Sequence, residues 1–435
     1  MEALLAEFGL WRRVKSEARL DPRKHKGKGY DAVVYVAQLL FGFSSGGASL
    51  ADCERLDQDR ALKSLLGVDK FPDQSALGEW LRAVGEEGWE ALREINRDFC
   101  LWIFQKADPS RYLYSQQLEC FFDDTQIEVS GRTFEEATVN YEGHRALSWQ
   151  TLFTGPLMAD GILGQSYEHK ESLSSQEVGK DVSAHLPGLI DSNRSLWEGR
   201  TTYFYADSAS SAGAYLEKVA EHFESWSVSY NKWTSPLEKA AEQFPESNWS
   251  PAEDKPWRDG SQHECQYSWV RHQPAGCQHP KLYAVVRHRR KEGELFWRYA
   301  FVVCQEQQGQ AKRVFERHAL KGDRERMLSQ LLSDLDLHHP PCKSLAANRV
   351  FYALGMIAYN AFMALKLIYL PEEDQPKRIK TIMRHLLLIP VEIKRHARRL
   401  KVLMFLPAGW LQWWRHYLGS LMPWLKVGTQ APPGG

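Results

Sequence analysis

The chain has 435 residues, enough to bury a sizeable core and to form two to four domains. Lys plus Arg equals Asp plus Glu at 55 each, so net charge neither demands nor excludes a polyanionic partner. Seven cysteines scattered along so long a chain argue against a disulfide scaffold and for reduced thiols.

Residues 1–111 read as helical. The apolar run from Tyr30 to Phe41 breaks at Ser44-Ser-Gly-Gly, and Phe71-Pro-Asp-Gln-Ser enters a further helix with a polar cap. From 112 to 230 the period changes: 118–122, 148–154, 162–167 and 202–205 are short, aromatic or β-branched runs bounded by Gly, Asp or Ser, as strands are. An amphipathic stretch follows at 212–226, and 227–230 resembles another strand. Residues 231–309 interrupt this order with strand-like runs at 266–272, 281–288 and 294–304, a β-rich insertion. Helix resumes around Gly322, runs through Leu335, breaks at His338-His-Pro-Pro and resumes through Leu370. Its apolar stretch from Val350 to Leu370 is interrupted by Asn360 and Lys366, which suits a buried helix better than a membrane span. The region 371–435 is expected to hold two basic helices split by Pro390 and Pro407. Between Gln375 and Lys426 there are eleven Lys or Arg against one Glu, Glu392, a local footprint of the kind phosphate backbones select. No basic-then-apolar start resembles a signal peptide, so a cytoplasmic protein is expected.

Three acids stand where a phosphodiester-cutting site needs them. Asp124 ends the run Leu118-Glu-Cys-Phe-Phe-Asp-Asp124, Asp207 ends Thr202-Tyr-Phe-Tyr-Ala-Asp207, and Glu325 lies in the helical pattern that begins after the insertion. Carboxylates at the carboxyl ends of buried strands project into the crevice where α/β folds place ligands. With a third from a helix they could hold two Mg2+ roughly 3.5–4 Å apart, with Mn2+ as a possible substitute, because hard cations want oxygen ligands. Asp123 competes with Asp124. Strand alternation sends the two to opposite faces, so only one should bind metal. Cys265, His272, Cys277 and His279 offer zinc-ligand types, but in none of the strong spacings.

The motifs Phe122-Asp-Asp124-Thr, Tyr205-Ala-Asp207-Ser, Lys321-Gly-Asp-Arg-Glu325 and Asn348-Arg-Val-Phe-Tyr-Ala-Leu-Gly-Met-Ile-Ala-Tyr-Asn360 resemble DDE transposases of bacterial insertion sequences, in the subgroup with a β-strand insertion in the catalytic domain. The resemblance implies an α/β protein: a helical DNA-binding domain over 1–111, an RNase H-like core over 112–230 and 310–370, the insertion over 231–309, and a basic region over 371–435. It also implies cut-and-paste transposition of double-stranded DNA with magnesium, acting on terminal inverted repeats and target, in a complex holding two transposase copies. Asp124, Asp207 and Glu325 match the three metal-binding acids, Asp124 being preferred to Asp123 because it directly precedes Thr125. The family's Tyr-(two residues)-Arg-(three)-Glu-(six)-Lys pattern finds His318, Lys321 and Leu332 in its places, so only part of its phosphate-contacting role carries over. Candidate DNA contacts are His318, Lys321, Arg324 and Arg326 around the last acid, and Lys394, Arg395, Arg398, Arg399 and Lys401 on a tail helix. Two other readings stay open: a catalytically inactive DNA-binding relative, and an RNase H-like nuclease without strand transfer.

Overall fold

The computed structural model describes residues 1–140, 142–165, 183–230, 236–257, 259–305, 309–396, 399–411 and 414–415. Six helices come first: α1 (Glu2–Phe8), α2 (Leu10–Ser16), α3 (Ala32–Ser44), α4 (Leu50–Glu54), α5 (Arg60–Leu66) and α6 (Gln74–Lys106). Asp73 caps α6 by accepting the Ala76 N–H, and Leu77, Leu81, Val84, Leu92, Ile95, Phe99 and Ile103 recur at helical spacing to form its buried face. The helix kinks at Gly85, whose φ of 57° and ψ of −153° suit only glycine.

The strands that follow build one ten-stranded sheet. Its first part comprises β1 (Leu118–Glu128), the short β2 (Thr138–Val139), β3 (Arg145–Thr154), β4 (Leu157–Gln165), β5 (Thr202–Ala206) and β6 (Ser225–Tyr230). Helix α7 (Leu186–Asn193) precedes β5, and α8 (Gly213–His222) joins β5 to β6. β4 pairs with β3 and β3 with β1, both antiparallel; β1–β5 and β5–β6 are parallel. That order, β4-β3-β1-β5-β6, is the RNase H-like core.

The insertion does not form a second sheet. After the short α9 (Leu237–Glu242), its strands β7 (Glu253–Pro256), β8 (Gln262–His272), β9 (Lys281–Arg290) and β10 (Arg298–Cys304) extend the first in the order β6-β10-β9-β8-β7. Because β10 runs antiparallel to β6, the tip of the β9–β10 hairpin lies at the end of the sheet where β1 and β5 finish.

Helices α10 (Ala311–Ala319) and α11 (Lys321–Asp334) return after the insertion, and α12 (Leu345–Ala364) runs through the core. The stretch Leu345–Tyr369 is the one helix among the described residues long and apolar enough to cross a membrane, and it is buried in the protein. Asn360 ties it in place: its Oδ1 accepts the Met158 N–H at 2.9 Å, while its Nδ2 donates to the Met158 carbonyl and to Asn96 Oδ1, both at 2.8 Å. Phe43 of α3 meets Phe351 of α12 with ring centroids 4.9 Å apart, and one buried apolar cluster runs from Leu4 to Met383. The amino-terminal helices therefore share the core of the sheet.

The carboxyl-terminal region corrects the expectation of two basic helices. A helical stretch before Pro390 is present, α13 (Ile379–Ile382) continuing as a π-helical turn to Leu387, but after Pro390 the chain forms an antiparallel hairpin of β11 (Val391–His396) and β12 (Arg399–Met404) in place of the second helix. Val391 and Ile393, then Leu400 and Val402, alternate with charged neighbours, a period of two that suits a strand once Pro390 has broken the helix. Lys394, Arg395, Arg399 and Lys401 thus stand on strands, their side chains outside what is described, and Arg398 lies outside the described residues.

Candidate active site

β1 and β5 are adjacent and parallel, paired from Leu118 with Thr202 to Phe121 with Tyr205. Carried two residues further, the same register sets Asp123 level with Asp207. Asp207 leaves β5 in extended conformation and caps the short turn Ser208–Ser210, accepting the Ala209 N–H at 2.9 Å. A turn-capping acid at a strand end explains why the chain stops extending there.

The neighbouring acids of β1 part company. Asp124 lies on the face shared with Gln126, Ser148 and Gln150. Its Oδ2 accepts from Gln126 Nε2 at 2.6 Å and its Oδ1 from the Ser148 hydroxyl. Burial pushes the Asp124 carboxyl up to about 6, Asp207 adds to the rise, and the two hydrogen bonds oppose it. Asp123 alternates onto the face of Glu119 and Phe121. That face is covered by α10 and α11: Arg317 pairs with Glu119 at 3.2 Å, and Lys321 Nζ sits 5.7 Å from the centre of the Phe121 ring.

Glu325 stands on α11, one turn after Lys321; its side chain and that of Arg324 lie outside what is described. Arg326 is exposed, 3.7 Å from Asp323. His318 differs from the expectation of a phosphate contact. Its ring is 9% exposed, with Nδ1 2.9 Å from the Ser227 hydroxyl and Nε2 2.8 Å from that of Ser229. Burial, and secondarily Lys321, push it down to about 4, so it is a neutral bridge between α10 and β6.

Two carboxylates set level on adjacent parallel strands, at Asp123 and Asp207, are oxygen ligands of the kind that suit hard divalent cations. A second set, Glu128, Glu142 and His144, is the one grouping of three close potential ligands among the described residues. It is exposed, with His144 Nδ1 2.7 Å from Glu128 Oε1. Sequence reading missed it, because no motif links the end of β1 to the loop before β3. It also missed the buried Glu119, although a charged residue inside an apolar strand is a signal in itself.

The sheet order and the acid-bearing strands define an RNase H-like protein. More narrowly, residues 1–421 match the family model described as transposase DDE domain group 1, and the chain belongs to that family. No curated protein matches it.

Proposed function

We propose that this protein is an active cut-and-paste transposase of an insertion sequence, whose triad is Asp123, Asp207 and Glu325. The carrying observation is that two adjacent parallel strands bring Asp123, midway along β1, level with Asp207 just past the end of β5, on the face against which the helix bearing Glu325 is docked. This prefers Asp123 to Asp124. Thr125 then falls two places after the first acid, and Asp124, engaged by Ser148 and Gln126, supports the site from behind.

Two Mg2+ ions, with Mn2+ as a substitute, would activate the attacking oxygen and neutralise the departing 3′-oxygen when bound by the triad. The chain's own part is to orient. Rigid strands fix Asp123 and Asp207, and α11 sets the height of Glu325. In cleavage, water attacks the phosphorus at the transposon end, the P–O3′ bond breaks and a 3′-OH is released. In joining, that 3′-OH attacks a target phosphodiester and displaces its 3′-oxygen. Double-stranded terminal repeats and target DNA are the partners, held in a complex with two copies of the chain.

The hairpin tip supports a DNA surface at the same end of the sheet. Leu295 and Phe296 are 84% and 82% exposed there, and exposed apolar side chains of this kind are what duplex-binding proteins wedge between base steps.

The test is Mg2+-dependent nicking of a duplex carrying the element's terminal repeat. Asp123→Asn, Asp207→Asn and Glu325→Gln should each lose about a thousandfold or more in rate with end binding retained, whereas Asp124→Asn should keep a tenth or more. Full activity in Asp123→Asn, with loss in Asp124→Asn, would return the role to Asp124. Replacing Leu295 and Phe296 together by Ser should weaken end binding about tenfold.

A further inference from the structure

Beneath the acids lies a buried ionic cluster that the chemistry above does not use. Glu119 is 2% exposed on β1, where its Oε1 accepts from the Tyr205 hydroxyl at 2.7 Å and meets Arg317 of α10 at 3.2 Å. The Arg317 guanidinium lies 4.3 Å from the Tyr114 ring centre and 4.6 Å from that of Tyr203, and donates to Gln117 Oε1 at 3.3 Å. Beside it, His318 clasps Ser227 and Ser229 of β6.

Each member lies on, or on the element next to, the one that carries an acid of the triad. Glu119 is four residues before Asp123 on β1, and Tyr205 is two before Asp207 on β5. Arg317 is eight before Glu325, on a helix joined to α11 through Leu320 alone. We propose that Arg317, Glu119 and the Tyr205 hydroxyl form a positioning lock that fixes the Glu325 helix against the two aspartate strands. The inference rests on the triad reading given above.

An apolar trio of the same volume would hold the fold as well as a buried ion pair does. What the pair adds is direction. A planar fork held between two aromatic rings and aimed at one carboxylate permits a single arrangement of helix on strand. Outer partners of this kind govern ligand orientation, and their loss typically costs 10–100-fold in metal affinity or activity.

The test uses the full chain with Arg317→Lys, which keeps the charge but removes the fork, and Glu119→Gln, which keeps the shape but removes the charge. Amide hydrogen exchange along α11, read without metal or DNA, should quicken about tenfold in both while α6 exchange stays parental. Mn2+ affinity, read by electron paramagnetic resonance, should fall about tenfold, and single-turnover cleavage at saturating DNA should slow 10–100-fold with end binding unchanged. Parental exchange in α11 and parental Mn2+ affinity, with only a lower melting temperature, would overturn the lock and leave the cluster a stabilising contact. Should both variants fail to fold, Tyr205→Phe keeps the ring stack and loses one hydrogen bond. It should then show the same signs at about threefold, and a parental result would again overturn the lock. Mn2+ binding that survives intact in Glu325→Gln counts against the triad instead, and the exchange data then decide the lock alone.

Discussion

Two residues near the crevice titrate in opposite senses. The Asp124 carboxyl, raised to about 6, favours the folded state while protonated, and that contribution is lost as pH climbs from near 4 through 6. His318, lowered to about 4, favours the folded state while neutral, and that contribution is lost as pH falls from near 6.5 toward 4. The parent's acid response is therefore partly cancelled, and removing one partner exposes the other. Relative to the parent, Asp124→Asn should gain about 2 kcal/mol of stability between pH 4.5 and 7, the larger part of a shift of roughly two pKa units at about 1.4 kcal/mol each. Urea midpoints of the metal-free proteins at the two pH values measure it, and a pH-independent difference would refute the assignment. The sequence shows that Asp123 and Asp124 must face opposite ways, but not which way matters. That depends on where α11 lands, and α11 lies beyond an insertion in a 118-residue gap between Asp207 and Glu325.

Elements were legible where their period was strong and local. The strands at 118–122, 148–154 and 202–205 expected from aromatic and β-branched runs fall within β1, β3 and β5. The tail was misread because its dense basic residues suggested a helix face, while the weaker period-two alternation of Val391, Ile393, Leu400 and Val402 sets the hairpin. Within α12, Asn348 and Asn360 were part of a motif without an evident purpose, and the structure supplies one. Asn348 closes the preceding loop on both the N–H and carbonyl of Cys342, at 3.0 and 2.8 Å. Asn360 joins α12 to α6 and to the first residues of β4. Truncating it strands the buried Met158 N–H and the Asn96 carbonyl oxygen in an apolar setting. Asn360→Ala should therefore cost about 3 kcal/mol, with DNA end binding below the melting temperature unaltered. A loss under 1 kcal/mol in urea titration would show that the helix is held by packing alone.

At the scale of the whole chain, sequence divides what the fold joins. Changes of period at about 111, 230 and 310 suggest separate units, yet the insertion strands continue the core sheet and α1–α6 share its apolar cluster. Pairing partners and shared cores are long-range facts, whereas periodicity reports only each element's own burial. The sheet ends on β7, a four-residue strand of sequence Glu-Asp-Lys-Pro, whose brevity, charges and terminal proline discourage edge-to-edge association. Continuity of the core has a measurable consequence. If the amino-terminal helices were an independent DNA-binding unit, they would open separately from the sheet. Because α6 packs along α12, and α12 against β4, exchange protection of α6 and of β1 should vanish at one urea midpoint, coincident with the tryptophan fluorescence change. Two midpoints separated by about 1 M or more, a spacing worth about 1–3 kcal/mol in urea, would restore the boundary near residue 111 as a true domain border. The helices would then have to be treated as a module able to move relative to the catalytic sheet when DNA binds.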